Sequence, residues 1–162
     1  MDNAVFEWFN QFLSREMAVF FTACLPIVEL RGAIPLAISL GISPGKAYWI
    51  AVAGNMFPVI PLLLFLEPIR DILVNKLRIM AVFFNWLDKR TIKKSDKIEK
   101  YGALALILFT AVPLPTTGAW TASLAALIFK IKFRYAFPAI VIGIFIAGVV
   151  VTFLSVSGKA LF

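Results

Sequence analysis

The sequence predicts an all-α integral membrane protein: an inverted repeat of two re-entrant broken-helix hairpins, each followed by a transmembrane helix, with amphipathic interfacial helices beside them. Three observations predict it. Of the 162 residues, 61% are hydrophobic and 15% charged, with a mean hydropathy of +0.91, where soluble domains have roughly 45–50% apolar content. Two apolar runs, 46–67 and 134–157, have the ~20 residues that a spanning helix requires. Two further apolar stretches, 17–41 and 102–129, are interrupted midway by proline, glycine and polar residues. In hydrocarbon such a break survives only where it is buried in protein or lines a wet cavity.

The elements follow in order within a single membrane domain, 1–162. Residues 1–16 set Val5, Phe6, Trp8, Phe9, Phe12 and Leu13 near one helical face; too short to span, they read as an interfacial helix. Asp2, Glu7 and Glu16 do not fit the basic start of a secretory leader. Residues 17–41 form the first hairpin, broken over Leu25–Pro35. A turn at Gly41–Lys46 leads to the first span, 46–67, which Pro58 and Pro61 should kink. Residues 68–101 alternate apolar positions with lysine and arginine and read as a basic linker on the headgroups. The second hairpin, 102–129, breaks at Val112–Gly118, and the loop Lys130–Arg134 precedes the second span, 134–157. In that span Ala139, Gly143 and Ala147 recur every fourth residue, a spacing that lets helices approach closely. They can serve a homodimer or dock the hairpins.

Setting Pro26 over Pro113 brings the halves into register without gaps, with Leu25 over Val112, Leu40 over Leu127 and Tyr48 over Tyr135. Weak internal symmetry of this kind marks inverted-repeat transporters. Charge tests the topology. If each broken segment crossed fully, the basic linker and the loop with Lys130, Lys132 and Arg134 would face opposite sides. If each enters and returns, both face the cytoplasm, where short basic loops stay. Hairpin arms of about 10 residues are roughly 15 Å long, half of a 30 Å core, so the tips are expected to meet near the midplane.

The chemistry gathers at those tips. Pro26, Pro35, Pro113 and Pro115 break the hairpins. Glu29 and Arg31, two apart at membrane depth, are costly there unless paired, either with each other as a structural lock or with a ligand. In the second case Arg31 holds an anionic group and Glu29 carries a proton, since an apolar site disfavours the charged carboxylate. Gly32-Ala33-Ile34-Pro35 and Thr116-Thr117-Gly118 are expected to open the returning half-helices, whose N-termini favour anions; the threonines can equally act as caps alone. Arg31, Gly32, Thr116, Thr117 and Gly118 are therefore the substrate-binding candidates, with Asn55 added from the middle of the first span. Trp120 lines the site or packs.

Other classes are excluded. The chain has no histidine and one cysteine, Cys24, so imidazole metal sites, Ser-His or Cys-His nucleophiles and intrachain disulfides are absent. No catalytic residue, metal or cofactor is expected. The net charge of +7 fits cytoplasmic loops facing anionic lipid better than a nucleic-acid surface.

Glu29-Leu30-Arg31-Gly32-Ala33-Ile34-Pro35, together with Pro113-Leu114-Pro115-Thr116-Thr117-Gly118-Ala119-Trp120, resembles the prokaryotic family of small multidrug export proteins. That family is in turn distantly similar to the DedA/VTT superfamily, with two re-entrant hairpins and members that move or scramble lipids. The resemblance implies a multi-pass protein of a prokaryotic cell membrane, with Glu29, Arg31, Gly32, Pro35, Pro113, Pro115, Thr117 and Gly118 in its site. The chain departs from the DedA pattern in placing both acid and arginine in the first hairpin. The expected function is transport of an anionic or lipid-phosphate substrate with proton coupling. Export of small amphipathic cations and a non-transporting membrane scaffold are the alternatives.

Overall fold

The computed structural model describes residues 15–65, 68, 96–112, 117–129 and 131–159. The interfacial helix, apart from its last two residues, and most of the basic linker lie outside them. The described residues are helical, without strands: α1 (Arg15–Cys24), α2 (Glu29–Ser39), α3 (Pro44–Phe65), α4 (Asp96–Ala111), α5 (Ala119–Ile128) and α6 (Phe133–Lys159). α3 and α6 are the two helices long and apolar enough to cross a membrane. α4 begins at Asp96, so the end of the expected linker is already part of the second hairpin's first arm.

The chain divides into two compact units, one of residues 1–57 and 145–162, the other of 58–144. In the first unit, α1 and α2 form a hairpin whose two ends lie together. The Arg15 guanidinium donates to the Leu40 carbonyl at 3.2 Å, and Glu16 pairs with Lys46 in the first turn of α3. At the other end, the Cys24 thiol donates to the Gly54 carbonyl at 3.1 Å. Gly54 lies midway along α3, so an arm of ten residues, ~15 Å long, carries the tip to the helix midpoint. Pro58 explains the thiol's role, because it has no N–H to return to the carbonyl four residues back, which is Gly54. Small residues let the helices close on one another: Val19, Ala23, Ala33, Ala37, Ala47 and Ala51 are fully buried beside Leu30 and Ile34, while Phe21, Trp49, Phe57 and Phe153 face outward. Lipid supplies no hydrophobic drive between helices, so close backbone packing has to hold them. Gly54 gives the sharpest case, since a Cβ there would fall on the Phe20 carbonyl oxygen and 2.8 Å from the Ala23 Cβ.

The second unit repeats this pattern. A Cβ at Gly102, near the base of its hairpin, would lie 2.8 Å from Ile131, and one at Gly143 would meet Thr110 at the tip and the Ile107 carbonyl at 3.0 Å. The hydrogen bonds match as well. Leu40 N–H donates to the Leu36 carbonyl as Phe129 does to Ala125; Ile42 bonds to Ala37 as Ile131 does to Ala126; Ala47 bonds to Ser43 as Ala136 does to Lys132. Gly54 and Gly143 hold the same place counted from Pro44 and Phe133, and each seats the carbonyl of an equivalent first-arm residue, Phe20 or Ile107.

Two expectations change. The gapless register holds along the first arms, where Cys24 falls over Ala111, and fails beyond the tip. The second tip and return arm run from Ala111 to Ile128 where the first run from Cys24 to Ser39, two residues longer, so Leu40 matches Phe129 rather than Leu127, and Tyr48 matches Phe137 rather than Tyr135. The first break is also shorter than expected. It covers Leu25–Val28, with Pro26 in the turn, and α2 resumes at Glu29, leaving Pro35 inside the helix instead of in its first turn.

Candidate functional site

The tip of the first hairpin is built by an unusual backbone choice. Glu29 takes φ 50, a left-handed conformation that costs an L-residue roughly 1–2 kcal/mol. That residue reverses the chain, and its N–H still donates to the Leu25 carbonyl at 3.0 Å. The Glu29 side chain is 5% exposed, whereas Arg31, two residues on, is half-buried and within electrostatic reach of it. Glu29 occupies the first turn of α2, so its carboxylate already takes the position that the helix dipole favours for an anion. The expected free N-terminus at Gly32–Pro35 is corrected on this account: the return helix starts three residues earlier, and its start carries an acid.

Gly32 is needed for space, because a Cβ there would overlap the Val28 side chain. Its N–H closes the turn onto the Val28 carbonyl at 3.1 Å. Pro35 deprives the Arg31 carbonyl of its usual helical donor. Polar backbone and polar side chain therefore coincide at one residue of an otherwise apolar arm.

Asn55 follows Gly54, the residue that receives the Cys24 thiol, and is 1% exposed. Among the described residues its Oδ1 accepts no hydrogen bond. A buried amide oxygen left so costs about 1–3 kcal/mol, which singles it out for a donor from water or ligand. Cys24 escaped the reading of the sequence. The signal was present in Pro58, whose missing N–H calls for a donor near Gly54.

In the second unit, Gly118 is the N-cap of α5, with φ 157 and ψ −170, backbone that only glycine adopts freely. The Thr117 hydroxyl donates to the Val112 carbonyl at 2.7 Å, across the tip, and Thr121 donates to Gly118 at 3.2 Å. Thr116, Pro113 and Pro115 lie outside the described residues. Trp120 is partly buried. Ala139 and Ala147 are buried, and Gly143 seats Thr110, so the central residue of that stripe packs within its own unit. No group of three Cys, Asp or Glu residues that could hold a metal ion occurs among the described residues.

Residues 29–150 match the family model described as "Putative small multi-drug export protein". The chain belongs to this family. The match begins at Glu29 itself and runs through α2, α3, the second hairpin and most of α6, so this multi-drug export family is defined over both units. No curated protein and no solved structure matches the chain. The small multi-drug export assignment, with two apolar helices of spanning length, makes the chain a membrane protein of an export family.

Proposed function

We propose that the protein is a multi-pass transporter whose two hairpins are re-entrant, and that it moves a small amphipathic anion past the tip of the first hairpin. The re-entrant reading is supported by an arm that starts beside the first turn of α3 and reaches its midpoint at Gly54. The matching hydrogen bonds in the two halves support the inverted repeat, with the basic linker and the Lys130–Arg134 loop cytoplasmic in a prokaryotic cell membrane.

One observation carries the substrate reading: of the two charged residues at the tip, Glu29 is buried and Arg31 only half-buried. An incoming molecule therefore meets Arg31, whose fork suits phosphate or carboxylate. Glu29 behind it exchanges a proton and sets how tightly Arg31 holds its anion. Asn55 offers its oxygen to the polar part of the substrate. The DedA-like transport of lipid phosphates is the version of this reading that the hairpins favour. The family's description favours a second version, export of organic cations, in which the Glu29 carboxylate is the binding group.

Proteoliposome flux decides. Wild type should move a short-chain phosphatidylglycerol faster than ethidium; Arg31→Ala should lose that flux, and Glu29→Gln should keep flux that no longer follows an imposed pH gradient. Faster ethidium flux, lost in Glu29→Gln, would replace the anion by the cation. Equal rates in wild type and both variants would leave a scaffold.

A further inference from the structure

Two independent measures bring Asn55 and Glu29 to the same depth. α2 and α3 pack against one another and are joined by the short turn 40–43. Glu29 lies eleven residues back from Leu40 and Asn55 eleven residues on from Pro44, about 16.5 Å of helix in either case. Hydrogen bonds trace the same link: Gly54, next to Asn55, receives the Cys24 thiol, and Leu25, next to Cys24, receives the Glu29 N–H. Both side chains are buried, and the Asn55 Oδ1 accepts no hydrogen bond among the described residues. We infer that Asn55 is the acceptor for the proton that Glu29 carries: when a carboxylate oxygen of Glu29 is protonated, the new O–H donates to Asn55 Oδ1. This rests on the reading of Glu29 as the proton carrier and adds the residue that sets how firmly the proton is held.

An ionised carboxylate is acceptor-only, whereas a protonated one carries an O–H, so protonation of Glu29 creates a donor for the buried amide oxygen. The other charge at this depth is Arg31. Arg15, Glu16 and Lys46 lie at the base of the hairpin, and no Asp, Glu, Lys or Arg occurs in 17–28, in 47–66 or in 145–158, the part of α6 that belongs to this unit. Of the titratable groups in the same elements, the Cys24 thiol is engaged with Gly54, and the Tyr48 hydroxyl, near the start of α3, with the Phe145 carbonyl. Arg31 attracts the ionised carboxylate. Asn55 favours the protonated one, since a hydrogen bond made only by the neutral form stabilises that form. The two neighbours thus pull in opposite directions, which lets the carboxyl gain and lose its proton within one transport cycle. The amide oxygen changes partner in step: with Glu29 ionised it is available to a donor on the substrate, and with Glu29 protonated it is taken.

Infrared titration of the purified full-length chain in detergent tests it. The carboxyl C=O band that Glu29→Gln removes belongs to Glu29. Asn55→Leu, which keeps the volume and drops the acceptor, should move that band to the higher frequency of a carboxyl whose O–H has no acceptor, and should weaken proton binding about fivefold. Asn55→Ser keeps an oxygen and should recover part of both changes. If Asn55→Leu does not fold, Asn55→Ala decides on the same two readouts. A band with unchanged frequency and midpoint in the variant lacking the acceptor overturns the inference, leaves the amide oxygen to Arg31 or to substrate alone, and does not touch the transport reading. A change in Asn55→Ser as large as that in Asn55→Leu, as altered packing alone would give, overturns it too. A Glu29 carboxyl that takes up no proton at any pH at which the chain stays folded overturns this inference together with the proton-coupled reading.

Discussion

Gly54→Ala tests the packing on which the first hairpin depends. The new methyl group would land on the Phe20 carbonyl oxygen and 2.8 Å from the Ala23 Cβ. Neither can swing aside as a long side chain would, so α1 has to move away from α3. Overpacking of this kind costs about 1–3 kcal/mol, and displacing α1 also stretches the Cys24–Gly54 hydrogen bond, worth about 1 kcal/mol. Against this stands the ~1 kcal/mol gained when alanine replaces glycine in a helix. The net expectation is a loss of about 2 kcal/mol. Gly45→Ala, in the same helix with nothing within 4 Å of the new Cβ, should gain up to ~1 kcal/mol and serves as the control. Denaturant unfolding in detergent micelles gives the difference between the two directly, about 3 kcal/mol. Should Gly54→Ala unfold at the same denaturant concentration as Gly45→Ala, the tip is not seated on α3 as described. Gly143→Ala, facing Thr110 and the Ile107 carbonyl, should behave like Gly54→Ala.

Three further outcomes follow from the same geometry. Glu29→Gly should be more stable than Glu29→Ala by about 1 kcal/mol, the reverse of the normal helical order, because both lose the carboxylate and only glycine takes φ 50 without strain; thermal unfolding of the pair shows it. Cys24→Ala should cost about 1–3 kcal/mol by stranding the Gly54 carbonyl, while Cys24→Ser, which keeps a donor, should recover most of it in the same measurement. In a Cys24→Ser background, Ser43→Cys and Lys132→Cys should react with an impermeant maleimide from opposite sides of intact cells and inverted vesicles. Reaction from the same side would remove the re-entrant topology.

What the sequence made legible was whatever depends on length, hydrophobicity and proline. Both long helices and both broken segments lie where apolar runs and prolines place them, because each signal is local. What it hid depends on partners distant in sequence. Proline at position 35 reads as a first-turn residue, yet α2 starts at Glu29, because the chain reverses through a left-handed glutamate, a position where sequence rules look for glycine. The register between halves drifts by two residues because the second tip is longer, and identities between apolar segments are too few to reveal an insertion. Thr117 reads as a cap or a binding hydroxyl from its place before Gly118; that its hydroxyl reaches back to the Val112 carbonyl across the tip was not legible. Asn55 was legible as a polar residue in a span; that its oxygen is buried and receives no donor among the described residues was not.

The corrected register adds an argument that the gapless one concealed. Counting back from the matched hydrogen bonds, Glu29 in the first half falls at the place of Gly118 in the second, but the backbones differ: φ 50 at Glu29 is left-handed and φ 157 at Gly118 is nearly extended. The first hairpin turns through a buried glutamate, at a cost of roughly 1–2 kcal/mol in strain and more in desolvation. Turning the chain gains nothing from a glutamate there, since glycine takes that conformation more cheaply. Strain of this kind is retained at positions whose side chain has a task. The two tips thus differ in chemistry, and the expensive glutamate of the first is the reason we propose that hairpin for the transport site and Glu29 for its proton.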